Sequence, residues 1–435
     1  MQKYIFLLLF SLPILATAQQ ELGLQFMRAT YQSNLTNPAF FMNQKVAICM
    51  PSPYFNYGNS AFSQRKIVSQ DSVIDFSEVK VPSYSYLSAS ANINALSVGL
   101  RFNKLQLGFT SGLRTFSYMG YNGDAFLLLT QGNKNFIGQK VNIAPAFQVN
   151  MFTEMGVSAA YRFLNERLSV GIRGKYLMGL ADISTSKENR EMSLYTNPDI
   201  FQLQLTTNYQ VNSSLAGINL GNLDSLSSFK PQFSGKNSGV AFDIGAEFKV
   251  NDKLSIAASV IDLGGITWRE NTNSYSSKGS YTYEGIDAAA LVLQDSSINF
   301  DAIGDTLRKV LHFEAKEQGA YKTPLHSQFY LSASYRPIQI LRVGGLFYGE
   351  FLYGKLHPSV AISGNIELKK WFSAGLLLAY RNKHLMPPGI NVSLGGGPVQ
   401  VFFATDNIVG ALMPFRTKDY NIRTGFNWLL GATKP

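Results

Sequence analysis

The sequence predicts an all-β protein, a transmembrane antiparallel up-and-down β-barrel of about fourteen strands, with long outer loops and one short amphipathic helix. Three observations predict it. The chain opens with an export signal, it contains no later apolar stretch long enough for a membrane helix, and its segments alternate apolar and polar residues with period two.

The signal is read from Lys3, the apolar run Tyr4 to Leu15, and Ala16-Thr17-Ala18, the small-x-small pattern at which a signal peptidase cuts. Residues 1–18 are therefore expected to be removed, leaving Gln19 first. The apolar run is short for a bilayer helix, which needs about 20 residues. With Gln19 rather than a cysteine after the cut, no lipid anchor is expected by that route.

Composition narrows the class further. The chain is 46% hydrophobic and 13% aromatic but only 15% charged, and rich in Tyr, Phe and Gly, as expected when apolar residues alternate with polar ones instead of clustering. A single cysteine, Cys49, excludes an intramolecular disulfide. The formal charge of +10 falls to +9 without the signal, and Lys and Arg are spread singly, so nucleic acid is not an expected partner. Lumen lining and contact with membrane lipid head groups account for the basic excess.

The alternation is clearest in two hairpins. Met155, Val157, Ala159, Tyr161 and Phe163 share one face, the chain turns at Leu164 to Arg167, and Leu168, Val170, Ile172, Gly174 and Tyr176 continue that face. Downstream, Ile244, Ala246, Phe248 and Val250 turn through Asn251 to Lys253 into Leu254, Ile256, Ala258 and Val260. Short turns are also expected at Asn103-Lys104, Arg336 to Leu341, Lys369-Lys370 and Gly395 to Pro398. Longer connections are expected near 51–85, 115–150, 183–240, 267–328, 349–358, 382–389 and 406–419. Six turns and seven loops give about fourteen strands, the first at Val46 to Pro51 and the last at Tyr420 to Leu430. The barrel is thus expected over 46–431, with long inserts at 183–240 and 267–328 and a tail at 432–435. Insert 183–240 reads as an exposed excursion or a lumen plug, and Phe300, Ile303, Leu307, Val310 and Leu311 mark a helix in the other. Aromatics at strand ends, among them Phe102, Tyr161, Trp268, Trp371, Phe372 and Trp428, are expected to form interfacial girdles.

Charged residues on the polar faces should point inward, because a charge on the lipid side at mid-membrane costs about 2 to 4 kcal/mol. Expected to face the lumen are Arg101, Arg114, Arg162, Arg173, Lys175, Glu247, Lys249, Arg336, Glu367, Lys369, Arg381 and Arg423. Charges of both signs suit a lumen closed by ion pairs or filled by a plug as well as an open channel. No cofactor or metal is called for: the four histidines, His312, His326, His357 and His384, lack metal-site spacing, and Gly395 to Pro398 separates two alternating strands as a hairpin turn. An outer-wall hydrolase would need paired Ser and His, for which His357 and Ser359 are the nearest candidates, so no catalytic residue is assigned.

Several blocks carry a family resemblance: Leu35-Thr36-Asn37-Pro38-Ala39, Ser193-Leu194-Tyr195-Thr196-Asn197-Pro198-Asp199, Val260-Ile261-Asp262-Leu263-Gly264, Tyr275-Ser276-Ser277-Lys278-Gly279-Ser280-Tyr281, Thr323-Pro324-Leu325, Gly397-Pro398-Val399-Gln400 and Ala404-Thr405-Asp406-Asn407-Ile408. Together they resemble a Bacteroidetes outer-membrane barrel family catalogued as a domain of unknown function, over nearly all the mature chain. More loosely, the early Asn-Pro-Ala and the strand number resemble FadL-type transporters and type IX secretion accessory barrels. The FadL resemblance implies that residues 19–45, with Asn37, Pro38 and Ala39, enter the lumen as a plug. The expected function is a transport-type barrel for hydrophobic or small solutes in the cell outer membrane, its ligand unspecified. The alternatives are an envelope or secretion-system scaffold and, remotely, a hydrolase.

Overall fold

The computed structural model describes residues 21–63, 81–215, 235–283, 314–368 and 371–432. The signal segment, the apolar stripe 300–311 and Lys369 lie outside them.

Strands β1 (Gln44–Cys49) and β2 (Ser52–Asn59) form one interrupted crossing, followed by β3 (Tyr84–Phe102) and β4 (Leu105–Asn122). Helix α1 (Gly123–Gln131) and β5 (Lys140–Asn142) precede β6 (Ala146–Phe163), β7 (Leu168–Thr196) and β8 (Leu203–Ser214). Next come β9 (Ser238–Lys249), β10 (Leu254–Trp268), β11 (Thr272–Tyr283), β12 (Glu314–Glu317), β13 (Tyr321–Pro324) and β14 (Gln328–Ile338). The chain ends through β15 (Leu341–Leu352), β16 (Lys355–Leu368), β17 (Phe372–Arg381), β18 (His384–Leu385), β19 (Gly389–Gly396), β20 (Val399–Thr405), α2 (Ile408–Leu412) and β21 (Asp419–Ala432).

These strands close an antiparallel barrel of fourteen crossings. Closure is made by β1, which pairs with β3 on one side (Val46 with Leu100) and with β21 on the other (Val46 with Leu430). Closure removes the sheet edge of the barrel, so among the described residues its wall strands are paired on both sides, as lipid requires. Strand β7 changes partner along its length. Its first half pairs with β9, from Leu168 with Phe248 to Met178 with Ser238, and its second half pairs with β8 beyond the barrel. Strands β8, β11 and β12 continue that extension as a ribbon.

The period-two reading decides which face is wet. Val157, Ile172, Val240, Ile244, Ile362 and Leu376 are more than half exposed on the outside, whereas Ser158, Ser169, Arg173 and Lys175 of the alternate positions are buried. An apolar exterior around a polar interior is the arrangement that a bilayer requires of a barrel.

Five expectations are corrected. The connection near 349–358 is a two-residue hairpin, Tyr353-Gly354, both at positive φ (49° and 75°), the geometry that matches strand twist in tight turns. The first crossing does not end at Pro51: pairing of β2 with β3 and β21 carries it to Asn59. Within 183–240, the described residues form β7 and β8 rather than a lumen plug, and α1 occupies a connection in which the sequence suggested no helix. Trp268 is not in an interfacial girdle but fully buried against Phe152, Leu177 and Ile266, with its indole N–H donated to Thr323 Oγ1 (2.8 Å).

Candidate functional site

The barrel interior is occupied by the N-terminal segment, residues 21–43, which makes two 3-10 turns, Gly23–Phe26 and Tyr31–Leu35, before entering β1. Its apolar side chains are buried against the inward faces of the wall. Leu22 and Phe26 pack with Ile261, Tyr330, Leu346, Tyr348 and Leu377, while Leu24 and Met27 pack with Phe402 and Ala404.

Polar contacts hold the segment at several heights. Near the long-loop end, the Leu22 and Gly23 amides donate to the two carboxylate oxygens of Asp406 (2.7 and 2.9 Å), and Glu21 pairs with Arg423. In the middle, Asn37 donates to the carbonyls of Ala246 and Ala258 (both 3.2 Å) and Ser259 donates to Thr36 O (2.6 Å), while beside the 164–167 turn Ser169 donates to Ala39 O (3.0 Å). Pro38 is buried there, and the Ala39 amide is capped by Asn37 Oδ1 (2.9 Å). At the short-turn end, Gln106 donates to Phe40 O (3.0 Å) and accepts from the Met42 amide (2.9 Å), and Arg101 donates to Met42 O (2.6 Å). Glycines make room for this backbone: a Cβ at Gly171 would lie 2.5 Å from the Pro38 carbonyl.

Beside the segment runs an ion network. Arg114 grips Asp262 with two bonds of 2.9 Å and reaches Glu154 at 3.1 Å; Lys175 bridges Asp262 (2.7 Å) and Asp243 (2.8 Å); Arg173 pairs with Asp243 (3.0 Å) and donates to Asn34 O (2.8 Å). Three bases thus meet three acids, and burial strengthens each attraction while making any lost partner costly.

The other expected lumen residues spread along the wall. Glu247 pairs with Arg28 (2.9 Å), Arg162 with Glu166 (2.9 Å), and Arg381 is buried and donates to Ser359 (2.8 Å). Lys249 and Arg336 are exposed at the short-turn mouth, Arg336 beside Glu367 (2.9 Å), which also takes Arg342 (3.2 Å). Sequence reasoning missed Glu154, Asp243, Asp262, Glu350, Arg342 and Asp406. Asp243 continues the polar alternation of Glu247 and was legible. Asp262 was not: it shares its parity with Val260, and only a bulge between Val260 and Leu263, with Asp262 at φ 62°, turns it inward.

His357 and Ser359 lie on the lumen side of β16, not on the outer wall. Ser359 accepts from Arg381, His357 packs edge-on against Tyr86 (4.9 Å between ring centres), and among the described residues no hydrogen bond joins the two. At the long-loop end, His384 Nε2 lies 3.3 Å from an Asp419 carboxylate oxygen, and that acid partner raises the imidazole pKa above its ordinary 6.5. Among the described residues no three His, Cys, Asp or Glu side chains gather as a metal site.

A small cavity, partly continuous with solvent, remains in the long-loop half of the lumen, lined by Asn92, Arg114, Phe116, Phe152, Gln328 and Glu350 among others.

Among solved structures, the chain is similar to the toluene transporter TbuX of Ralstonia pickettii at 10% identity, covering 92% of this chain and 94% of that one, with a TM-score of 0.47. It is similar to the toluene transporter TodX of Pseudomonas putida at 7% identity (93% and 95% covered, TM-score 0.44) and to a FadL homologue of Pseudomonas aeruginosa at 7% identity (91% and 93%, TM-score 0.42). No curated protein matches the sequence. The family model described as "Family of unknown function (DUF5723)" matches residues 38–406, most of the barrel with the end of the segment inside it, and the chain belongs to that family.

Proposed function

We propose that this chain is an outer-membrane transport barrel whose N-terminal segment is a displaceable plug and whose cargo is small polar solutes. The observation that carries the reading is how the segment is held. It fills the lumen by side-chain contacts, hydrogen bonds and the ion pairs Glu21–Arg423 and Arg28–Glu247, and contributes no strand to the sheet. Each such bond is worth about 1 kcal/mol net, or about 1.5 to 3 where a charge takes part, so bonds can be exchanged without opening the barrel. Removing the segment would leave a lumen faced by Gln106, Ser169, Ser259, Asn427 and the ion network beside an apolar patch of Ile261, Leu346, Leu377 and Phe402, a largely polar and wettable pore. Of the two cargo classes expected from the sequence, hydrophobic or small solutes, the polar share of that lining favours the small one.

Deleting residues 21–41 tests the reading in planar bilayers. A folded, heat-resistant barrel should conduct at least tenfold more than the intact chain. If the folded deletion variant is as tight as the intact protein, transport through this lumen is wrong.

A scaffold role has one observation in its favour: β7, with 29 residues, far exceeds the roughly 10 that span a bilayer and carries the ribbon of β8, β11 and β12 outward. Crosslinking in intact cells from sites on β8 should trap one envelope protein under that reading, and a uniformly monomeric product counts against it.

A further inference from the structure

We propose that the short-turn mouth of the barrel docks an extended acidic segment of a periplasmic protein, held by an arc of inward-facing bases that runs from β3 to β15. The inference takes the compartment from the outer-membrane reading, since short turns face the periplasm in such barrels, and does not depend on transport.

The bases of successive hairpins are neighbours in the wall. The Arg162 amide donates to Lys104 O (2.9 Å), the Lys249 amide to Arg167 O (2.8 Å), and the Arg336 amide to Lys253 O (2.8 Å). With Arg101 and Arg342 the arc holds eight bases, and Arg28 of the N-terminal segment makes nine. Among the described residues, four acids stand on the arc or beside it. Glu166 takes Arg162, Glu247 takes Arg28, Glu367 takes both Arg336 and Arg342, and Asp252 shares a turn with Lys253. Nine bases against four acids leave five positive charges in excess, whereas the network in the middle of the lumen sets three bases against three acids. Like charges gathered at one mouth repel, and an acidic partner relieves that repulsion.

Orientation favours a soluble partner over lipid head groups. Arg162, Arg167 and Lys253 keep the strand parity of Ala160, Ser169 and Ala257, which are buried on the inner face. Arg162 and Arg101 both lie over the ring of Phe41, in the segment that fills the lumen (4.2 and 5.6 Å). The alternate positions next to Arg162 and Lys249 are Phe163 and Phe248, which face outward at 47% and 39% exposure.

Spacing decides the size of the partner. Neighbouring strands lie about 5 Å apart, so Lys104, Arg167 and Lys253, on successive hairpins, follow at intervals of about 10 Å. A small anion meets one interval. An unstructured segment in the polyproline II conformation, with three residues per turn and a rise of about 3.1 Å, presents every third side chain on one side at about 9 Å, close to the hairpin interval.

The test is fluorescence anisotropy of a peptide of four Glu-Ala-Pro repeats, carrying an uncharged dye and titrated with the full-length protein in neutral detergent at low salt. Saturable binding is expected, at least tenfold tighter than for four Gln-Ala-Pro repeats and at least threefold tighter than for an isomer whose glutamates are adjacent. Arg167→Gln, Lys249→Gln and Lys253→Gln together should weaken it at least tenfold. Lys134→Gln, Lys140→Gln and Lys278→Gln together, an equal loss of charge among the long loops, should change it less than twofold. Equal binding of the glutamate and glutamine peptides, equal loss in the two triple variants, or preference for adjacent glutamates overturns the site. So does displacement of the peptide by citrate or short-chain phosphatidylglycerol at the peptide's own dissociation constant, the outcome of a small-anion or head-group site. Should the first triple variant not fold, Lys249→Gln with Lys253→Gln serves instead, with at least a threefold loss expected and an unchanged affinity counting as refutation. Binding is read with the N-terminal segment in place and without permeation, so this site can fail while the deletion variant conducts, and the reverse.

Discussion

At the scale of single residues, the interior depends on positions that look unremarkable in the sequence. Gly171 has ordinary extended backbone and is needed for space alone: an added Cβ would meet the Pro38 carbonyl at 2.5 Å and the Ala39 nitrogen at 2.6 Å, backbone atoms that no rotamer change can move. Gly171→Ala should therefore cost about 1 to 3 kcal/mol as overpacking and loosen the N-terminal segment. Faster hydrogen exchange of the segment's amides would show it, while Gly345→Ala, where an added Cβ meets nothing within 4 Å, should leave exchange unchanged. The pair His384 and Asp419 gives a pH dependence. Because the folded imidazole pKa is raised above 6.5, the contact stabilises fully below pH 6.5 and is lost as pH rises through the raised value. Exchange across 382–388, corrected for its intrinsic pH dependence, should be slower at pH 5.5 than at pH 8.5, and His384→Gln should erase the difference.

Among the elements, β10 shows how a local irregularity builds the interior. Regular alternation would send Asp262 out with Val260 and Leu263 in with Ile261; the bulge instead places both Ile261 and Asp262 inside, at 4% and 1% exposure, and returns Leu263 to the outside. Arg114 and Lys175 come from β4 and β7, so this one carboxylate ties three strands across the lumen. Asp262→Ala should destabilise by about 3 to 5 kcal/mol, since it leaves buried cations short of a partner. A lowered urea midpoint for unfolding from lipid vesicles is the expected result. An unchanged midpoint would mean that Glu154 and Asp243 suffice. The hairpin regions were largely legible because strand period and turn chemistry are local. The turn at Tyr353-Gly354 was misjudged as a longer loop: nothing in its composition matched the Asn-Gly or Asp-Gly pairs that announce tight turns, though Gly354 supplies the same positive φ.

Over the whole molecule, the barrel divides the sequence between two solvents. Ile362, at the middle of β16, is 62% exposed, while its neighbour Ser363 is 5% exposed. Ile362→Arg should cost about 2 to 4 kcal/mol in a bilayer, and much less if the exterior met water; comparing unfolding midpoints in vesicles with those of the parent chain checks it. The sequence by itself determined the crossing number, the two faces of each strand and the polarity of the interior, because all three follow from period-two alternation and from the cost of charge in lipid. It also marked Arg114, Arg173 and Lys175 as interior charges. Only the tertiary structure decided what those charges meet. The partners Glu154, Asp243 and Asp262 lie on other strands. The N-terminal segment is bonded to residues up to 402 positions away. Such pairings depend on barrel closure and strand register, which bring together residues that no local pattern connects.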